Sequence, residues 1–84
     1  MIFNNDNGSQ YIIITYFRFK DRNRAILKLV HDDLTQYVVA RNLPIDDNKG
    51  CWLAGTYTNN IMEAFEIFEK DISQLLEDVY NTML

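Results

Sequence analysis

The spacing of the apolar residues changes at residue 60, and this change constrains the fold more than any other feature of the sequence. Before it, β-branched and aromatic residues form short runs between turn formers, which is typical of strands. After it, apolar residues recur every three or four positions, which is typical of an amphipathic helix. The sequence therefore predicts an α+β fold, a four-stranded antiparallel sheet followed by a long C-terminal helix.

The strand signals differ in strength along the chain. The run from Tyr11 to Phe19 is β-branched and aromatic almost throughout and gives the strongest signal. Residues 1–10 are predicted to be flexible, because residues 4–10 are polar and rich in turn formers. The four strands are expected over residues 11–20, 24–31, 36–42 and 51–58.

The helix is expected to begin near residue 60. Asn60 and Glu63 resemble a capping box. In this motif the Asn side chain accepts the backbone N–H of the Glu, and the Glu side chain reaches back to the backbone N–H of the Asn. Asp71 with Gln74 forms a second candidate cap, so a break near residue 70 is the alternative to one continuous helix. The predicted apolar stripe comprises Ile61, Phe65, Phe68, Ile72, Leu75, Val79 and Met83. The predicted core comprises Phe17, Leu27, Val39, Trp52, Phe65, Phe68 and Ile72.

A chain of 84 residues fits a single domain, residues 1–84. Domains of this size have thin stability margins and often rely on disulfides, a metal ion or association. Cys51 and His31 are the sole cysteine and the sole histidine. They cannot form an internal disulfide or a four-ligand zinc site. The apolar fraction of 48% favours a good core, and oligomerisation is the other source of stability.

No motif in the sequence carries recognisable catalytic chemistry. His31 beside two aspartates suggests either a general base or a solvated turn, and a turn is favoured because adjacent residues rarely converge on one substrate. Cys51 lacks a positioned base, so a packing role is favoured. Residues 46–50 faintly resemble a calcium loop but lack its series of ligands. We predict no enzymatic activity, no cofactor and no metal site.

The net charge of −4 is distributed unevenly. Residues 1–58 carry six acids and seven bases, whereas residues 59–84 carry six acids and one base. An acidic chain makes nucleic acid an unlikely partner, because binding to it requires phosphate-neutralising bases. The sequence shows neither a signal peptide nor a membrane-spanning run, so we predict a cytoplasmic protein with no membrane partner.

The bases of the first half cluster around the first predicted hairpin. Phe17 and Phe19 are interleaved with them, as in some phosphate-contacting patches. Two other interpretations remain open: charges that protect a sheet edge, or a basic patch that pairs with the acidic helix. The residues concerned are Arg18, Lys20, Arg22, Arg24 and Lys28.

The segment over residues 36–69 resembles a group of small uncharacterised proteins of Firmicute plasmids, phages and conjugative elements. The shared pattern is a strand, an acidic turn ending at Gly50, then Trp52, a Gly-x-Tyr at Gly55–Tyr57, and a helix that opens with Glu63-Ala64. This resemblance implies a mobile-element setting, and it implies no particular activity.

The first strand is predicted to be apolar on both faces, with Ile12, Ile14 and Tyr16 on one of them. Because one helix covers only one face, the other must meet the chain ends, a second copy or another protein. We therefore predict a homodimer and a non-enzymatic interaction protein with an accessory or regulatory role. The alternative is an inhibitor of a host-defence or nucleic-acid enzyme that acts through the acidic helix. The candidate partner-binding residues are Glu63, Glu66, Glu69, Glu77, Asp78, Ile14 and Tyr16.

Overall fold

A computed structural model describes residues 1–83 and shows an α+β fold, a curled sheet with a single helix on one side. The change of apolar spacing marks the junction as predicted, because the last strand ends just before residue 60 and the helix begins just after it. The elements are strands β1 (Ile2–Asn5), β2 (Gln10–Phe19), β3 (Arg22–Leu29), β4 (Tyr37–Arg41), β5 (Lys49–Gly50) and β6 (Ala54–Thr58), and helix α1 (Ile61–Met83).

The sheet has six strands in the order β5-β1-β2-β3-β4-β6, so the predicted count of four is wrong. The four predicted strands correspond to β2, β3, β4 and β6, and they pair antiparallel as expected. The two additional strands are short. β1 pairs antiparallel with β2, and β5 pairs parallel with β1, which makes the sheet mixed. A strand of two residues has no periodicity that a sequence can reveal.

Strand β1 lies within the segment that was predicted to be flexible. Phe3 is fully buried, and the chain turns between β1 and β2 through Gly8, whose φ is +93°. The N–H of Asn5 donates to the carbonyl of Ser9 at 2.8 Å. The polar residues 4–10 therefore do form a turn, but this turn joins two paired strands.

An irregularity in β2 changes which residues share a face. The pairing with β3 shifts register between Ile13 and Thr15. A bulge of this kind interrupts the strict alternation of side chains. Ile12 and Tyr16 therefore lie on opposite faces of the sheet, and the prediction that Ile12, Ile14 and Tyr16 share one face is wrong.

Helix α1 runs without a break from Ile61 to Met83, so the alternative of a break near residue 70 is wrong. Its start matches the prediction in part, because Asn60 Oδ1 accepts the N–H groups of Met62 and Glu63 at 2.9 and 3.2 Å. Asp71, considered as a second cap, instead binds Arg41 of β4.

The helix packs on β3, β4 and β6, and we call this face of the sheet the helix side. Ile26 and Val39 are fully buried there beneath Ala64 and Phe68. The buried stripe is rotated from the predicted one: Ala64 is fully buried, whereas Phe65 is 37% exposed. A small residue lets the helix backbone approach the sheet closely, and the larger Phe65 then falls on the flank.

The other predicted core residues are buried to different extents. Leu27, Val39 and Phe68 are buried as expected, whereas Phe17, Trp52 and Ile72 are half-buried.

The opposite face, which we call the crossing side, is covered by residues 42–53 as they run between β4 and β6. Leu43 is buried there, and Ile45 and Trp52 pack against a core that includes Phe3 and Leu27. The chain thus covers this face itself. This corrects the expectation that a second face would require the chain ends, a second copy or another protein.

Candidate protein interaction surfaces

The acidic side chains predicted as a binding surface lie on the outer face of α1. All of them are exposed, and they follow the helix from its first turn to its fifth. Asp78 accepts a hydrogen bond from the Gln74 side chain at 2.9 Å, four residues earlier. Within residues 1–83 none of the five contacts a basic group closely enough to form an ion pair. The ridge comprises Glu63, Glu66, Glu69, Glu77 and Asp78.

One acidic residue of the helix points inward instead. Asp71 accepts two hydrogen bonds from the Arg41 guanidinium, at 2.9 and 3.0 Å. This bond raises the pKa of Arg41, whereas burial lowers the pKa of Arg24, which lies opposite Arg41 on β3. The bidentate pair anchors the middle of the helix to β4. Pairing between the basic and acidic halves is thus limited, within residues 1–83, to this single bridge.

The two remaining predicted partner-binding residues are separated by the bulge in β2. Ile14 lies at the bulge and is 39% exposed. Tyr16 packs against the core of the crossing side, and its hydroxyl is buried without a hydrogen-bond partner among residues 1–83. The structure therefore leaves Ile14 exposed and half-buries Tyr16 against the core of the crossing side.

An apolar surface remains uncovered beside the helix. Ile2 of β1 pairs with Ile12 of β2, and the same row continues through Lys28 to Tyr37, which packs on the helix-side cluster. This row therefore lies on the helix side. Because the helix packs on β3, β4 and β6, Ile2 and Ile12 stay about two-fifths exposed, at 42% and 41%.

The helix contributes apolar side chains to the same surface. Asp71 reaches β4, so the flank of α1 on the other side of the buried stripe faces β2. Phe65 and Leu76 lie on that flank and are 37% and 43% exposed. We group these exposed side chains with Ile14, the exposed residue at the bulge of β2, and call the group the open face: Ile2, Ile12, Ile14, Phe65 and Leu76.

An aromatic cluster fixes the position of β6 on the crossing side. The Trp52 ring lies 5.2 Å from that of Tyr11 and 6.2 Å from that of Phe3, between centroids. Its Nε1 donates to the Tyr57 hydroxyl at 3.2 Å. A Cβ on Gly55 would lie 2.7 Å from Trp52 Nε1, so a side chain there would displace the indole. Burial raises the pKa of Tyr11, and the nearby Tyr57 raises it further.

The residues considered for chemistry have local structural partners or exposed positions. His31 Nδ1 accepts the N–H groups of Asp33 and Leu34 at 3.1 and 3.0 Å, which organises the turn after β3. Cys51 is exposed. Over the part of the chain that the structure describes, no group of three or more His, Cys, Asp or Glu side chains is arranged to hold a metal ion.

Comparison with known proteins gave no match: no protein family, no curated protein and no solved structure is recognisably similar to the chain. Among residues 1–83, no helix combines the length and the apolar character needed to cross a membrane.

Proposed function

We propose that the chain is a non-enzymatic protein-interaction protein with an accessory or regulatory role in a mobile genetic element. The observation that supports this function is the open face. The mobile-element setting is proposed from the sequence pattern over residues 36–69. We further propose that the protein acts in the cytoplasm and self-associates as a homodimer.

The open face has the features of a contact surface for a protein. Ile2 and Ile12 are directly paired across two strands, and Phe65 and Leu76 are exposed on the flank of α1 that faces β2. Isolated apolar side chains are common on protein surfaces, but several exposed on the same side of the sheet and on the helix flank that faces it favour an interaction site. Apolar burial gives affinity without any reacting group. The partner that fits this surface presents an apolar patch of its own.

A matched pair of variants tests this function. Ile12→Glu places a charge at the centre of the open face, and Leu53→Glu places the same charge at a residue that is 80% exposed elsewhere. Tagged wild-type protein and both variants are expressed in the native host, and the captured proteins are quantified by mass spectrometry. We expect recovery of the specific partner to fall at least about tenfold with Ile12→Glu and to be unchanged with Leu53→Glu. Equal recovery with both variants would contradict the proposal.

The acidic ridge supports a second candidate function, inhibition of a host-defence or nucleic-acid enzyme. Its five exposed carboxylates lie along one rigid helix, and such a row resembles the charge of a phosphate backbone. A partner with a basic groove would then bind with strong dependence on salt. Glu66→Gln with Glu77→Gln tests this candidate: binding should weaken at low salt and lose much of its salt dependence. Binding that does not respond to salt or to these variants would rule it out.

A further inference from the structure

The sheet ends in two very different edges. β5 is only two residues long and carries the charged Lys49. β6 is five residues long, Ala54-Gly55-Thr56-Tyr57-Thr58, and contains neither a charge nor a proline. Natural proteins usually protect exposed edges with charges, prolines, bulges or very short strands. The β6 edge has neither charges nor prolines, and its regular pairing with β4 contains no bulge.

The register shows which backbone groups β6 presents at this edge. The N–H of Leu29 donates to the carbonyl of Gln36, so these residues form a hydrogen-bonded pair of β3 and β4. In an antiparallel sheet, the backbone N–H and C=O groups of successive residues point alternately toward the two neighbouring strands. Val39 therefore directs its backbone groups toward Thr56 of β6. Gly55 and Tyr57, on either side of Thr56, present their N–H and C=O groups outward.

We propose that β6 pairs antiparallel with β6 of a second copy, about a twofold axis that passes beside Thr56. Gly55 of each protomer then exchanges hydrogen bonds with Tyr57 of the partner subunit. Antiparallel pairing of a strand with itself is self-complementary, because each outward N–H meets an outward C=O. The two sheets join into one continuous sheet across the axis.

The flank of α1 above β6 fits the same arrangement. It lies on the Asp71 side of the helix, which faces the β6 edge because Asp71 bonds to β4. Ile67 lies on this flank, and Glu63 and Lys70, four residues before and three residues after it, lie between the flank and the outer face of the helix. With a twofold axis at the level of Thr56, the two helices lie antiparallel to each other. Ile67 then lies near Ile67 of the second copy. Glu63 then lies opposite Lys70 of the other protomer.

Lys70 is the only base of the helix, and among residues 1–83 it forms no ion pair within the chain. In the proposed dimer it neutralises the Glu63 carboxylate that the second copy brings close. This inference rests on the self-association within the proposed function and gives it a location. It leaves the open face, at the other side of the helix, free for a different protein.

Substitutions at Tyr57 test the backbone pairing. Tyr57→Pro removes an outward N–H and leaves the ladder to β4 intact, since proline is tolerated where the N–H faces solvent. Tyr57→Ala is the matched control, because both variants lose the phenol that Trp52 contacts and only one loses the N–H. Sedimentation equilibrium at micromolar concentration should show a dimer for the wild type and Tyr57→Ala and a monomer for Tyr57→Pro. Circular dichroism verifies that each variant is folded.

A charge exchange provides a test that does not alter the strand. Lys70→Glu should weaken the dimer about tenfold, because the symmetric interface contains each contact twice. Adding Glu63→Lys to it should restore most of the wild-type affinity. A monomeric wild type, a dimeric Tyr57→Pro variant or a double variant no better than Lys70→Glu would overturn the inference. If Tyr57→Pro is monomeric and still captures the partner, self-association through β6 and binding through the open face are separate properties.

Discussion

The two faces of the sheet are covered by segments of different kinds, and they are covered to different extents. On the helix side the cover is α1, which packs on β3, β4 and β6 and leaves the adjoining part of β1 and β2 open. On the crossing side it is the irregular segment 42–53, which contacts residues from Phe3 in β1 to Val38 in β4. A straight helix covers only the strands beneath it, whereas an irregular segment follows the width of a curled sheet.

The two covering segments, α1 and residues 42–53, also differ in where their backbone N–H and C=O groups find hydrogen-bond partners. A helix bonds its own N–H and C=O groups, so it needs only an apolar stripe to dock. The crossing segment must find partners elsewhere. Asn23 supplies two of them, because its side-chain amide accepts the N–H of Leu43 at 2.8 Å and donates to its carbonyl at 2.9 Å. Asn48 and Gly50 offer carbonyls that accept N–H groups of Asn4 and Asp6. The crossing segment is therefore held by specific hydrogen bonds in addition to apolar packing, whereas the helix docks mainly through its apolar stripe.

The largest expected effect comes from breaking the helix side at its centre. Phe68→Ala removes a side chain that is only 7% exposed and should lower the free energy of unfolding by about 3–5 kcal/mol. Phe65→Ala is the matched control on the flank and should cost only about 1 kcal/mol. Urea titration of both variants measures the difference. Equal losses would mean that the helix is rotated toward the stripe predicted from the sequence.

An intermediate effect is expected from breaking the crossing side at its hydrogen-bonded anchor. Asn23→Ala removes the partner of the buried Leu43 N–H and one of the two donors to the Leu43 carbonyl, which still accepts the N–H of Ile45, and should cost about 1–3 kcal/mol. Asn59→Ala, at an exposed residue between β6 and α1, should stay within about 0.5 kcal/mol of the wild type. Chemical denaturation followed by Trp52 fluorescence compares them. A harmless Asn23→Ala would show that packing of Leu43 and Trp52 alone holds the segment.

A smaller effect is expected at the bridge between helix and sheet. The Arg41 side chain is 40% exposed, so solvent screens its pair with Asp71. A double-mutant cycle with Arg41→Gln and Asp71→Asn should give a coupling energy of about 0.5–1 kcal/mol, reduced at high salt. A coupling near zero would leave the helix held by apolar contacts alone.

The smallest effect on folding is expected at the open face. Ile12→Thr keeps a β-branched side chain on β2 and should change the free energy of unfolding by no more than about 0.5 kcal/mol. Thermal unfolding of the isolated protein measures this change. A loss above about 2 kcal/mol would show that Ile12 supports the fold and is not reserved for contact.

The sequence predicted the features that depend on local pattern and missed those that depend on distant partners. The run from Tyr11 to Phe19 and the Asn60 cap identified β2 and the start of α1. No local pattern predicts β5, because Lys49 and Gly50 form a strand only through their pairing with β1. The bulge between Ile13 and Thr15 turns Tyr16 toward the crossing side, where it is half-buried, whereas Ile14 stays exposed.

The rotation of the helix was missed for a related reason. Ala64 and Phe65 are both apolar, and periodicity alone cannot tell which of two adjacent residues faces the sheet. The close approach permitted by Ala64 decides it. The open face was therefore not predictable as a set: its two parts lie on segments far apart in the chain, and the periodicity of the helix places Phe65 in the core.

The central claim is that the open face stays uncovered even when the protein self-associates through β6. Isoleucine methyl NMR with an inert, soluble paramagnetic chelate tests it directly, at a concentration where sedimentation shows the dimer. The claim predicts strong relaxation enhancement at Ile2, Ile12 and Ile14, which are 39–42% exposed, and almost none at the fully buried Ile26. Protection of Ile12 and Ile14 to the level of Ile26 would contradict it, because a second copy would then cover the open face.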